Sequence, residues 1–157
     1  MMELSRIDER ALQRVAESLA PRLRIGDMIA LRGDLGAGKT AFARHLIRTL
    51  TGRADEDVPS PTFALVQPYE SPRFPIHHFD FYRLNGPDQA AELGVEEALE
   101  SGIVIAEWPE RLESLLPSDR LDITLSEDTE PHLRGLTLEG QGKWSPRLAR
   151  FSAILTF

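Results

Sequence analysis

The eight residues Gly33-Asp34-Leu35-Gly36-Ala37-Gly38-Lys39-Thr40 constrain the fold of this chain more than any other segment. They match G-x-x-x-x-G-K-[ST] at every fixed position, a pattern that has meaning only between a buried strand and a helix. The sequence offers both flanks. Met28-Ile29-Ala30-Leu31 is a short apolar run, and a helix is predicted from about Lys39 to Leu50, ending near Gly52. At ordinary glycine abundance, chance produces the pattern in about 0.5% of chains of this length. Each fixed position has a chemical reason. Glycines adopt backbone angles that turn successive N–H groups onto a phosphate, and they leave no side chain in its way. The helix aims its partially positive N-terminus at the same anion. Lys39 brings a full charge to the β- and γ-phosphates, and the Thr40 hydroxyl ligates Mg²⁺. The segment from Asp34 through Ala41 is therefore the expected cradle of a Mg-bound nucleoside triphosphate.

The remaining elements follow from local signals. Asp8 can cap a helix carrying Leu12, Val15 and Leu19 on one face, with Ile7 and Leu12 placed for a hydrophobic staple. Ile25-Gly26-Asp27 reads as a turn. Phe63 to Val66 and Pro75 to Phe81 read as strands separated by the turn residues Glu70-Ser71-Pro72. Pro87 to Ser101 is mostly helical and interrupted at Gly94. Ile103-Val104-Ile105-Ala106 is an uninterrupted apolar run of the kind parallel sheets bury. Leu121 to Leu125 and Leu133 to Leu138 alternate apolar and polar residues as half-exposed strands do. Ser145 as cap and Pro146 at the first helical position start a last helix toward Phe157. No repeat or linker divides the chain. The expected fold is one α/β domain over 1–157, a three-layer P-loop NTPase-like unit with a mixed, largely parallel central sheet.

Composition bears on partners and place. The chain has 157 residues, 41% hydrophobic and 27% charged, with no cysteine. Disulfides and thiolate zinc sites are excluded, and no apolar run reaches the length of a membrane span or a signal peptide, so a cytoplasmic location is expected. A net charge of −7 disfavours autonomous binding to a nucleic-acid backbone. Arg6, Arg10 and Arg14 recur every four residues and would share a helix face, as would Arg44 and Arg48. Such faces are either solvated or a docking surface for an acidic or RNA-bearing partner.

A P-loop enzyme also needs an acid at a strand's C-terminal end for the Mg²⁺ shell. Asp80 follows Ile76-His77-His78-Phe79 and Glu107 follows Ile103 to Ala106. Both are assigned to the site, one to the metal and one to the attacking water, in an order the residues leave open. His77 and His78 point to opposite faces of a strand and cannot chelate one ion together; one is expected packed and one exposed.

Taken with the loop, five further segments resemble the bacterial TsaE (YjeE) ATPase family of tRNA threonylcarbamoyladenosine biosynthesis. They are Ser60-Pro61-Thr62-Phe63-Ala64-Leu65-Val66, His78-Phe79-Asp80-Phe81-Tyr82-Arg83-Leu84, Leu93-Gly94, Glu107-Trp108-Pro109-Glu110 and Leu116-Pro117. The resemblance runs from the P-loop to about Leu125, and it implies several roles. Thr62 lies in a switch-like loop near the γ-phosphate, and Asp80 is the Walker B acid. Glu107 and Trp108 form a second, partner-sensitive switch whose glutamate serves Mg²⁺, and Arg134 corresponds to a late arginine near the nucleotide. Ala41 departs from the family, which commonly has a second threonine there. The implied activity is ATP hydrolysis, with ATP and Mg²⁺ as ligands and TsaD and TsaB as partners, tRNA being touched only through the complex. The rival reading is a small-molecule or nucleoside kinase, but no arginine-rich lid follows the P-loop helix. A guanine-specific switch would need Asn-Lys-x-Asp, and the sole asparagine, Asn85, precedes Gly86.

Overall fold

The computed structural model of the chain describes residues 1–154. Its strands are β1 (Met2–Ile7), β2 (Met28–Arg32), β3 (Val66–Tyr69), β4 (Ile76–Asp80), β5 (Ile103–Glu107), β6 (Arg120–Glu127) and β7 (Arg134–Gln141). Its helices are α1 (Glu9–Leu19), α2 (Lys39–Thr51), α3 (Pro87–Glu92), α4 (Val95–Ser101) and α5 (Trp144–Ile154). The strands form one sheet in the order β1-β7-β6-β2-β5-β4-β3. Its centre is parallel, β6 with β2, β2 with β5 and β5 with β4, and both flanks are antiparallel. The expected mixed α/β sheet is thus present, with its parallel part concentrated around the P-loop strand.

Burial explains the layering. β5 is buried along its whole length, which only a central strand covered on both faces requires. One face packs Ile29, Leu31, Ile103, Ile105 and Ile123 against α1, α2 and α5 through Leu12, Leu46, Ile47 and Phe151. The other packs Met28, Val104, Ala106 and Phe79 against α3, α4 and the short 3₁₀ stretch Pro109–Leu115 through Ala90, Val95 and Leu112. This is the three-layer sandwich. α5 is tied to the start of β2 by Arg147, which donates to both Asp27 oxygens at 2.6 and 2.9 Å.

Local signals set most boundaries. The Asp8 carboxylate accepts from Ala11 N at 2.9 Å and caps α1, and Ile7 and Leu12 share the core as a staple requires. Gly94 divides α3 from α4 in the left-handed region, φ 86°. Four readings are corrected. The N-terminal residues form β1, so Arg6 lies on a strand, donating to Asp128 at 3.1 Å, and does not share a helix face with Arg10 and Arg14. Arg44 and Arg48 do share α2, but their guanidinium groups donate to the carbonyls of Val58 and Glu56, tying the following loop to the helix. β3 begins only at Val66, because Phe63, Ala64 and Leu65 form a turn pinned to β4: Leu65 N reaches Pro61 O at 2.7 Å, and Asp80 N reaches Leu65 O at 3.0 Å. Pro68 is tolerated because β3 is the sheet edge. Finally, α5 starts at Trp144, putting Ser145 and Pro146 inside its first turn; its continuation to Phe157 lies outside the described residues.

Candidate functional site

β2 runs directly into the loop at Gly33 and α2 begins at Lys39, so the octapeptide joins the middle of the sheet to a helix on one face. Two glycines are forced. Gly33 has φ +140°, and a Cβ there would collide with the Leu125 carbonyl; Gly38 has φ +109°, and a Cβ there would strike the Arg134 guanidinium. Lys39 folds back along the loop, its Nζ donating to the carbonyls of Gly33 at 2.5 Å and Asp34 at 2.9 Å. Burial lowers its pKa below the ordinary lysine value, while the carboxylates of Glu107, Glu110, Asp80 and Asp34 pull the other way. Asp34 and Leu35 are exposed, Ala37 is buried beneath the loop, and Ala41 is half-buried beside Thr40.

Sheet register delivers the two acids. Asp80 and Glu107 are directly paired on neighbouring parallel strands. Both are in phase with Ile76 and Ile105, which face α2, so strand alternation turns their carboxylates to the P-loop side. Glu107 is 3% exposed, and its two oxygens lie 2.9 and 3.1 Å from the Thr40 hydroxyl. Asp80 is also 3% exposed. One of its oxygens accepts from the Thr62 hydroxyl at 3.1 Å and the other from Tyr82 N at 2.9 Å. Ser60 Oγ lies 2.7 Å from Thr62 Oγ1. Trp108 continues β5 in the left-handed region, φ 57° and ψ 51°, and its ring covers the Lys39 ammonium at 4.2 Å. These groups line one cleft of about 230 Å³ that also holds Leu35, Gly36, Gly38 and Ala41.

Arg134 approaches the loop from the other side. It opens β7, donates to Glu9 at 3.3 Å through Nη2, and keeps Nη1 buried without a partner among the described residues. It lines a neighbouring cleft of about 340 Å³ with Gly36, Ala37, Glu127, Asp128 and Thr129. Gly36 borders both clefts, so the candidate nucleotide residues are divided between two connected sides of one loop.

Comparison with known proteins gives the family of the chain. The family model described as "Threonylcarbamoyl adenosine biosynthesis protein TsaE" matches residues 7–134. The TsaE of Rickettsia felis is 40% identical over 118 residues, covering 75% of this chain and 68% of that protein. The Streptomyces coelicolor TsaE is 35% identical over 141 residues, covering 85% of this chain and 94% of its own. The crystal structure of Bacillus subtilis YdiB superposes with a TM-score of 0.80 at 27% identity, covering 97% of this chain and 94% of that one. The chain belongs to the TsaE family.

Within a TsaE-family fold, the oxygen donors Thr40, Asp80 and Glu107 fit Mg²⁺, a hard cation that keeps waters and takes one or two carboxylates together with substrate phosphates. Among the described residues no group of three His, Cys, Asp or Glu side chains could close an all-protein metal cage, which is the other kind of site. His77 and His78 do face opposite sides, but neither is exposed. His77 is half-buried with its ring stacked on Phe79 at 6.3 Å, and His78 is fully buried. His78 is the residue that sequence reasoning missed: its Nε2 lies 2.6 Å from Glu107 Oε2. The available signal was phase, since His78 precedes Asp80 by two on one strand and so shares its face. Glu127, Asp128 and Thr129 at the second cleft carried no motif at all.

Proposed function

We propose that this chain binds and hydrolyses Mg-ATP as the accessory ATPase of tRNA threonylcarbamoyladenosine (t6A) modification, acting with TsaD and TsaB as a single P-loop domain. The observation that carries the reading is the Glu107 carboxylate at 2.9 Å from the P-loop hydroxyl of Thr40, beside the Lys39 ammonium. In this reading the loop from Asp34 to Ala41 binds the phosphates, and Thr40, Asp80 and Glu107 hold Mg²⁺ directly or through water. Lys39 neutralises the γ-phosphate, and Thr62 and Asp80 orient the attacking water. Arg134 reaches the nucleotide across Gly38, and Trp108 reports a bound partner to Glu107. Mg²⁺ would supply charge stabilisation to the transferring phosphoryl group. No arginine lines the phosphate-side cleft among the described residues, which favours slow intrinsic hydrolysis and a site completed in trans. It disfavours a kinase with its own arginine lid. No helix among the described residues is long and apolar enough to cross a membrane.

The decisive experiment is reconstitution with the organism's own TsaD and TsaB. ATP-dependent co-purification and a rise in ATP turnover on adding both proteins are expected. No association in either nucleotide state overturns the partner assignment. Nucleotide choice gives a separate check. Calorimetry should show ATP binding more tightly than GTP, because no Asn-Lys-x-Asp loop reads guanine; equal or tighter GTP binding counts against the reading.

A further inference from the structure

We infer that His78 is a positioning residue for Glu107, holding one of its carboxylate oxygens so that the other is presented to the metal and phosphate side of the cleft. The inference rests on the Mg-nucleotide reading above and adds to it a group outside the cradle. Among the described residues Glu107 Oε2 has two hydrogen-bond partners, Thr40 Oγ1 at 3.1 Å and His78 Nε2 at 2.6 Å, whereas Oε1 has Thr40 alone, at 2.9 Å. A carboxylate only accepts, so Nε2 carries the proton and donates. The imidazole is fully buried, and its other nitrogen, Nδ1, has no partner among the described residues. Among the described residues the single polar contact of this ring is therefore the one to Glu107.

Several features make that contact a restraint rather than incidental packing. His78 sits inside β4, with its backbone paired to Ile105 of β5 two residues before Glu107. Both side chains therefore rise from adjacent parallel strands on the same face of the sheet. A glutamate has three rotatable bonds, and a free one would sample orientations away from Thr40. A short hydrogen bond from a ring fixed in the sheet removes that freedom. Partners of this kind orient metal-binding carboxylates, and losing them typically costs about 10–100-fold in metal affinity or activity. The contact also explains why a polar ring occupies a fully buried strand position, where an apolar residue would cost less.

The test compares His78→Leu with His78→Gln in the full chain. Glutamine can place an amide N–H near the Nε2 position, and leucine cannot. With a fluorescent ATP analogue, affinity in EDTA should stay within about twofold of wild type in both variants. The Mg²⁺ concentration for half-maximal gain in affinity should rise about tenfold or more in His78→Leu and return most of the way in His78→Gln. In the assembled complex, kcat should fall in His78→Leu with little change in KM. Should the leucine variant not fold, ¹⁵N spectra of the wild-type imidazole provide the check, because the Nε2–H signal should move on Glu107→Gln. The inference is overturned if both His78 variants keep wild-type Mg²⁺ dependence, if glutamine restores nothing that leucine lost, or if Glu107→Gln leaves the His78 signal unmoved. Failure of the wild-type chain to bind Mg-nucleotide would instead overturn the functional reading, with the spectroscopic coupling intact.

Discussion

Lys39→Ala is expected to weaken ATP binding by at least about thirtyfold while leaving the fold in place. Removing one partner of a buried charge pair in a binding site costs roughly 2–5 kcal/mol, which corresponds to factors from about 30 to several thousand. The cost to the free protein is small for a visible reason. Lys39 is 5% exposed, and its pKa is held below the ordinary value by burial, so its charge is carried at a cost until a phosphate arrives. Its two hydrogen bonds go to loop carbonyls, one of which, on the exposed Asp34, also accepts from Ala37 N. A lowered lysine pKa means that the unfolded chain binds more protons across the interval between the lowered and ordinary values. Stability should therefore rise with pH through that alkaline interval in wild type, and Lys39→Ala should lose the rise. Titration with a fluorescent ATP analogue and thermal melts at neutral and alkaline pH check both halves. Unchanged affinity in a normally stable variant would end the P-loop assignment.

In the proposed complex with TsaD and TsaB, Glu107→Ala is expected to lower ATP turnover by about 10²–10³-fold, the usual loss when one preorganised electrostatic group is removed from a reacting site. Glu107 touches the Thr40 hydroxyl with both oxygens, so its removal leaves the P-loop hydroxyl without its only carboxylate contact among the described residues. The neighbouring acid behaves differently. Asp80 spends its oxygens on Thr62 and Tyr82 N, which binds the turn after Ser60 to the end of β4. Asp80→Ala should therefore also disturb the 60–65 turn, detectable as faster amide exchange there. Single-turnover hydrolysis with Mg²⁺ varied separates the roles. A metal ligand shows its defect mainly as a raised Mg²⁺ requirement, and a water-positioning acid shows it as slow chemistry at saturating metal. Wild-type turnover in both alanine variants would refute the assignment of this acid pair.

Local chemistry was enough to read the loop, its flanking strand and helix, the Asp8 cap, the break at Gly94 and the apolar β5. Each of these signals lies within a few residues of its effect: a periodicity, a cap or a glycine conformation. Two short segments escaped for the same reason. Met2 and Leu4 alternate with Glu3 and Ser5, yet an edge strand becomes stable only when β7 pairs with it, and β7 is more than a hundred residues away. Phe63 to Leu65 look apolar enough for a strand, but Phe63 is 84% exposed because Thr62 is held by Asp80 and the turn is pinned to β4. The candidate acids were legible as residues that end strands; their geometry was not. Thr40 and Glu107 meet across 67 positions because β2 and β5 are neighbours in the sheet, and His78 meets Glu107 because β4 is next in line. Strand order follows from which faces must be buried together, a property of the whole chain. The sequence by itself determined that a glycine-rich loop would join β2 to the start of α2, since glycine angles and a helix start are local. Only the tertiary structure decided which carboxylate reaches the hydroxyl and which imidazole holds that carboxylate in place, because those contacts exist only once distant strands share a sheet.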